Sequence, residues 1–222
     1  MPQKNNNIYI MISSFFLFLI ISILSMRNKL TLLDQSIISS LTDGTSTIVM
    51  TLMELVTKIG SGEMILIATL IISIFLMVKK MRKHVILLFL LTFGGIVLNF
   101  ALKILFQRER PGEMSVIEVF GYSLEIASYS FPSGHTMRSV LLFSFLIYMS
   151  YHFIKKPFAR VAVIGLLSFM ILLIALSRII VGAHFPTDIL AAVSISIAWF
   201  YSCLILLQYL LKISSRITFS VK

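Results

Sequence analysis

Apolar residues fall in six long runs along this chain, at 8–26, 64–78, 85–105, 134–154, 161–176 with its continuation through 177–181, and 187–211. Each run is apolar enough to cross a bilayer core of roughly 30 Å as a helix. The first shows no small-residue cleavage site after it, so it reads as a retained anchor and not a removed signal peptide. Gly60-Ser61-Gly62-Glu63 opens the second run, with Ser61 or Gly62 near the helix cap. The basic stretch at 79–84 closes it, and a short basic turn at 155–160 separates the fourth run from the fifth.

The stretch 30–58 behaves differently. Leu30, Leu33, Ile37 and Leu41 recur at helical spacing, with Asp34, Gln35 and Ser39 between them. Thr42-Asp43-Gly44 breaks the pattern, and a second apolar-rich segment follows at 48–56. The pattern fits amphipathic helices lying on a membrane surface, or a single bent helix feeding the next span. The expected fold is all-α: a six-transmembrane-helix bundle, with short amphipathic helices on the outer side between spans 1 and 2, forming one domain over 1–222.

Composition agrees with the pattern. Apolar residues make up 58% of the 222 positions and charged residues 13%, a membrane-protein balance. The single cysteine, Cys203, excludes an intrachain disulfide and offers no metal cluster. A net charge of +10 invites a nucleic-acid reading, but its distribution argues otherwise. With both termini inside, the inner segments carry Lys4, Lys79, Lys80, Arg82, Lys83, Lys155, Lys156, Arg160, Lys212, Arg216 and Lys222, and no acid. Every acidic residue falls on the outer side: Asp34, Asp43, Glu54, Glu63, Glu109, Glu113, Glu118, Glu125 and Asp188. That asymmetry is a topology signal under the positive-inside rule. The partner it implies is the lipid bilayer, not nucleic acid.

With that orientation, three outer junctions carry the chemistry. Lys103 ends the third run, and Arg110-Pro111 follows. Pro132-Ser133-Gly134-His135 opens the fourth. Arg178, His184 and Asp188 join the fifth to the sixth, with Pro186 suited to a helix first turn. Ionisable groups at such positions are costly near a bilayer and read first as functional. An Asp four residues after a His can hold one ring nitrogen and leave the other as base or nucleophile. The Pro-Ser-Gly-His segment offers backbone N–H groups at a helix start, an anion site suited to phosphate. Lys103, Arg110 and Arg178 add cations that counter a phosphate and the charge of its transition state. His135 is then free to act as an acid.

Each residue also has a plain structural reading. Lys103 and Arg110 suit snorkelling span ends, and His135 suits a polar helix start. Arg138, one turn beyond His135, either extends the anion site or pairs with an outer acid, the reading its position favours. His84 and His152 lie beside basic residues at inner ends, and Trp199 sits near mid-span as packing. A zinc or di-metal hydrolase lacks a ligand cluster here, and Ser133 does not follow a strand as a nucleophile elbow would. A transporter or anion-binding membrane protein would want an ionisable group at mid-span. Transfer of the phosphoryl group to an acceptor other than water stays open.

Taken together, Lys103 with Arg110-Pro111, then Pro132-Ser133-Gly134-His135, then Ser177-Arg178 with His184 and Asp188, resemble the three-part signature of the type 2 phosphatidic acid phosphatases. These are integral-membrane lipid phosphate phosphatases related to vanadium haloperoxidases. The resemblance covers 103–188, and the size and span number are similar to bacterial members acting on phosphatidylglycerophosphate or undecaprenyl pyrophosphate. It implies His184 as nucleophile, Asp188 as its orienter and His135 as proton donor to the leaving oxygen. It implies phosphate binding by Lys103, Arg110, Pro132, Ser133, Gly134 and Arg178, with no metal and no cofactor. The expected substrate is a lipid phosphate in the cell membrane, presented outside the cytoplasm. Head-group contacts are expected from 30–63 and 112–131, neither of which carries a readable code.

Overall fold

A computed structural model describes the backbone of residues 2–111, 117–119, 122–124 and 129–220, and the side chains of 5–111 and 129–211. Most of the 112–131 stretch and the side chains of Lys4, Glu113, Glu118, Glu125, Lys212, Arg216 and Lys222 lie outside the described residues.

The chain forms α1 (Pro2–Met26), α2 (Thr31–Thr42), α3 (Thr47–Ile59), α4 (Gly62–Val78), α5 (Arg82–Phe106), α6 (Gly134–Phe153), α7 (Pro157–Ile180) and α8 (Pro186–Ser220). A small antiparallel ribbon lies between α5 and α6: β1 (Ile117–Val119) paired to β2 (Tyr122–Leu124), with Glu118 opposite Ser123. Helix starts follow their local chemistry. Ser46 accepts from the Val49 N–H at the start of α3, and Ser61 from the Met64 N–H at the start of α4. Pro157 and Pro186 occupy first turns of α7 and α8, where a missing N–H costs nothing.

The region 30–58 is two helices, α2 and α3, and not one bent rod. Its faces also differ from the expected pattern. Leu32 and Leu33 point outward, whereas Asp34 is fully buried. Ile38 and Leu41, on the same side as Asp34, pack on Ala175, Ile179 and Ile189 of α7 and α8.

Two apolar clusters hold the bundle. One joins α4, α5, α6 and α8 through Leu76, Leu87, Leu91, Phe145, Phe200 and Leu204. The other joins α1, α5, α6 and α8 through Phe18, Ile21, Leu102, Met137, Ala191 and Ile195, with Phe131 from the loop before α6. Small residues on α8 let α1 lie along it closely, a packing mode that suits helices without a water-driven force between them. Thr69 and Thr92 share a buried hydrogen bond at 3.2 Å between α4 and α5, and the Trp199 indole N–H reaches the Leu90 carbonyl.

Large apolar side chains such as Leu70, Ile71, Val97, Phe100 and Val161 face outward. In water this would be an aggregation-prone surface; in lipid it is the ordinary one. Four segments are long and apolar enough to cross a membrane: Asn5–Met26, Arg82–Phe106, Pro157–Ile180 and Pro186–Leu211. The pair α3 and α4, bent by 45°, passes when taken together. α6 dilutes its apolar stretch with His135 and Arg138 at one end and Tyr151 and His152 at the other. Apart from the small ribbon the described residues build a helical bundle, and the protein is accordingly a multi-pass membrane protein.

Candidate active site

The fold brings the three separate junctions to one end of the bundle, and hydrogen bonds tie them together. Lys103 lies in the last turn of α5, which ends at Gln107 in a left-handed conformation. Its ammonium donates to the Tyr129 carbonyl. The next residues run beside the segment leading into α6: Ser130 N–H donates to the Arg108 carbonyl at 2.7 Å, and its hydroxyl to the Glu109 carbonyl at 2.8 Å.

Phe131 then plugs this segment into the core, fully buried against Phe18 and Phe106. Asn99, one turn before Lys103 on α5, donates to the Pro132 carbonyl at 3.1 Å. Ser133 caps α6 by accepting from the Thr136 N–H and hydroxyl. Gly134 sits close to its neighbours: a Cβ there would meet Asn99 Oδ1 at 3.0 Å and Arg138 Nη1 at 3.2 Å, so both side chains would have to give way by a few tenths of an ångström. The result is a helix N-terminus beside guanidinium groups, an arrangement that suits an anion.

The third junction closes onto the second. The Ser133 N–H donates to the Asp188 carbonyl at 3.3 Å, so the start of α6 and the first turn of α8 are joined directly. α7 ends in a tight turn in which Ala183 and His184 N–H groups both return to the Arg178 carbonyl at 3.1 Å. Gly182 takes φ +69° there, a left-handed conformation suited to glycine at a helix end. This turn fixes His184 relative to Arg178 through the backbone.

His184 is 1% exposed and Asp188 0%. His184 Nδ1 faces Asp188 Oδ2 at 3.4 Å, a long hydrogen bond. The same oxygen accepts from the Phe185 N–H at 3.0 Å, which orients the carboxylate. A carboxylate on Nδ1 leaves the lone pair on Nε2. Burial pulls the His184 pKa down from 6.5 to about 4; Asp188 opposes this, and Arg178 and Arg110 reinforce it. The ring is therefore neutral and able to react at neutral pH.

Arg178 sits with 9% exposure, its Nη1 donating to Thr57 on α3 at 2.7 Å and its Nε buried without a partner. Arg110 presses on His184 from the loop after α5, and burial lowers its own pKa against the opposing pull of Asp188. His135, at the start of α6, lies within electrostatic reach of Arg178, Arg138, His184 and Arg110. Arg138 points its Nη2 at His135 Nδ1, 3.4 Å away, and its Nε is also buried without a partner. Its expected pairing with an acid is not formed among the described residues, where Glu63 acts on it only at longer range. A concentration of positive charge with buried, unpartnered N–H donors is what a phosphate would fill. Among the described residues no group of three or more His, Cys, Asp or Glu side chains is placed to hold a metal ion.

Several contributors carried no sequence motif. Asn99, Phe131 and Thr57 are one-residue supports whose partners lie far along the chain. Asp34, Arg108 and Thr187 form a buried group behind Asp188. Arg108 Nη1 donates to Asp188 Oδ1 and to Thr187 Oγ1, each at 2.7 Å, and Nη2 donates to Asp34 Oδ2 at 2.9 Å. Asp34 did leave a trace: it lies at helical spacing with Leu30, Ile37, Ile38 and Leu41, inside the apolar stripe.

Known proteins share the fold and part of the sequence. Phosphatidylglycerophosphatase B of Bacillus subtilis (strain 168) is 32% identical over 119 residues, 52% of this chain, and the match spans about half (54%) of that relative's length. The crystal structure of a PAP2 type phosphatidylglycerolphosphate phosphatase from Bacillus subtilis superposes with a TM-score of 0.75 at 23% identity, covering 88% of this chain and 94% of that one. Aquifex aeolicus LpxE superposes with a TM-score of 0.58 at 23% identity, covering 78% and 94%. The family model of the PAP2 superfamily matches residues 62–212, which contain all three junctions. On that match, and with the fold to support it, the chain belongs to the PAP2 phosphatase superfamily.

Proposed function

We propose that this protein is a membrane lipid phosphatase that hydrolyses phosphatidylglycerophosphate, undecaprenyl pyrophosphate or both, at the outer face of the cell membrane, through a phosphohistidine on His184. The observation that carries the reading is the buried His184–Asp188 pair, placed among Arg178, Arg110 and the N-terminus of α6. A relative named for phosphatidylglycerophosphate supports that substrate first.

In this reading the phosphate sits on the α6 N–H groups and the Ser133 hydroxyl, with Lys103, Arg110 and Arg178 around its oxygens. His184 Nε2 attacks phosphorus while Asp188 stabilises the cation forming on the ring. The bond from phosphorus to the lipid oxygen breaks, and protonated His135 gives that oxygen its proton. Now neutral, His135 takes a proton from water, whose oxygen attacks the phosphohistidine. The N–P bond breaks, inorganic phosphate leaves, and His184 returns neutral. No step calls on a metal ion or cofactor.

The direct assay is phosphate release by the purified full chain in detergent, with a chelator, across phosphatidylglycerophosphate, undecaprenyl pyrophosphate and phosphatidic acid. Release from at least one is expected; silence on every lipid phosphate would refute the enzyme reading.

Arg178→Gln should lower kcat/KM on the order of a hundredfold or more, since it removes a cation that tracks charge developing in the transition state. Near-normal turnover in that variant would place the phosphate elsewhere.

The site's sidedness follows from six spans, α1 and α4 to α8, with both termini inside. The motive is the charge asymmetry across the loops. An impermeant thiol reagent added to intact cells should leave an introduced Lys156→Cys unmodified in a Cys203→Ser background; modification without permeabilisation would reverse the orientation.

A further inference from the structure

Asp188 is held from behind by a group of residues that the phosphohistidine reading does not use. Its two oxygens have separate duties. Oδ2 accepts from His184 Nδ1 and from the Phe185 N–H, while Oδ1 accepts from Arg108 at 2.7 Å. Arg108 is itself pinned. Its guanidinium lies over the Phe185 ring, 4.1 Å from the centroid, and its second arm meets Asp34 at 2.9 Å. Asp34 also accepts from the Thr187 N–H at 2.9 Å and the Thr187 hydroxyl at 2.7 Å. It comes from α2, outside residues 62–212 that the family model matches, and is 0% exposed.

A buried carboxylate is costly unless paired, and a buried ion pair is weak evidence for added stability. A planar Arg fork bridging two carboxylates suits that task. The charges alternate along the contacts: Asp34 negative, Arg108 positive, Asp188 negative, then the His184 ring. Arg108 alone would cancel part of the Asp188 charge that the ring needs as it becomes cationic. Asp34 offsets Arg108 and restores it.

We propose that Arg108 and Asp34 are positioning residues that fix the orientation of the Asp188 carboxylate and set the charge it presents to His184. The proposal rests on His184 being the nucleophile. It gives α2 a role in the reaction, as the element that delivers a counter-charge into the site. The other charges facing His184 are Arg178 from α7, Arg110 from the loop after α5, and His135 from α6; Lys103 of α5 faces Asp188. None of these is altered in the test below.

The test is the pH dependence of kcat/KM for para-nitrophenyl phosphate by the full chain in detergent. The wild type is compared with Asp34→Asn, Arg108→Gln, Arg108→Lys, the double variant Asp34→Asn/Arg108→Gln, and His184→Ala. The titration of the probe itself is common to all of them. Losing the Asp34 charge should move the acid limb down by about half a unit or more, and losing Arg108 should move it up by a similar amount. Arg108→Lys and the double variant keep the net charge, so their limbs should stay near wild type. All four should lose plateau activity, roughly tenfold or more, because the fork is gone or its carboxylate partner no longer charged.

Limbs that do not move in opposite directions in the folded single variants would overturn the proposal. Should the single variants fail to fold by thermal unfolding, the charge-balanced ones decide. Folded protein with reduced plateau and unmoved limb supports positioning; wild-type plateau, or failure of both to fold, overturns it. His184→Ala separates the two claims. Turnover surviving in that variant sinks the nucleophile reading itself, whereas a dead His184→Ala with unmoved limbs in the others sinks only the role of Asp34 and Arg108.

Discussion

Replacing His184 with alanine is expected to abolish phosphate release from every substrate, whatever its leaving group. The loss should be on the order of 10⁴-fold or more, the scale seen when a residue that forms a covalent intermediate is removed. The backbone around it should tolerate the change, because the turn is held by N–H bonds to the Arg178 carbonyl and by Gly182. Phosphate binding should therefore outlast catalysis, readable as vanadate protection against thermal unfolding. The wild-type pH profile carries the same assignment. Since burial holds the free His184 near a pKa of about 4, the ring is neutral above that value and protonated below it. The acid limb of kcat/KM due to this group should lie near pH 4, not at the ordinary histidine value. As pH falls through it, the Nε2 lone pair is lost and activity falls with it.

His135→Ala should instead give a loss that depends on the leaving group. A lipid alkoxide needs a proton as its bond to phosphorus breaks, so phosphoryl transfer from a lipid phosphate should fall by roughly a hundredfold or more, the usual range for a positioned acid. A nitrophenolate leaves without help, so the first step with an aryl phosphate should survive better. Stopped-flow release of nitrophenolate, set beside single-turnover lipid cleavage, reads both. Equal loss of the first step for both substrates would mean that His135 only binds phosphate. His135 stands at the start of α6, with Arg138 on its Nδ1 side and His184 within electrostatic reach.

The parts of this site that were legible beforehand are those whose chemistry is local. Apolar runs reported the long helices because a lipid-facing helix must be apolar along its length, and breaks at Ser61, Lys79 and Pro186 reported their ends. Ser133 and Gly134 were readable as a helix start because capping is a property of neighbouring residues. The His184–Asp188 spacing was readable for the same reason.

The group behind Asp188 was not, because Asp34 and Arg108 meet across 74 positions, and no periodicity states which helix faces which. Along the sequence Asp34 simply falls with Gln35 and Ser39 between the apolar positions of α2. Its place among Leu30, Ile37, Ile38 and Leu41 gains its meaning only once α2 is seen against α7 and α8. Thr57 and Asn99 were hidden likewise, since each acts through one hydrogen bond to a distant junction. The 45° bend between α3 and α4 was hidden too: Gly60 and Ser61 marked a break, but only packing sets its angle.

A covalent bond between His184 and phosphorus is the central step, and a rapid-quench experiment reads that bond directly. The His135→Ala protein, slowed in its second step, is mixed with ³²P-labelled aryl phosphate and quenched in base within the first turnover. The expected result is labelled protein that is stable in base and labile in acid, with the label on the peptide containing His184 and absent from a His184→Ala/His135→Ala control. Phosphate released in that turnover with no labelled protein, or label on any other residue, would contradict it.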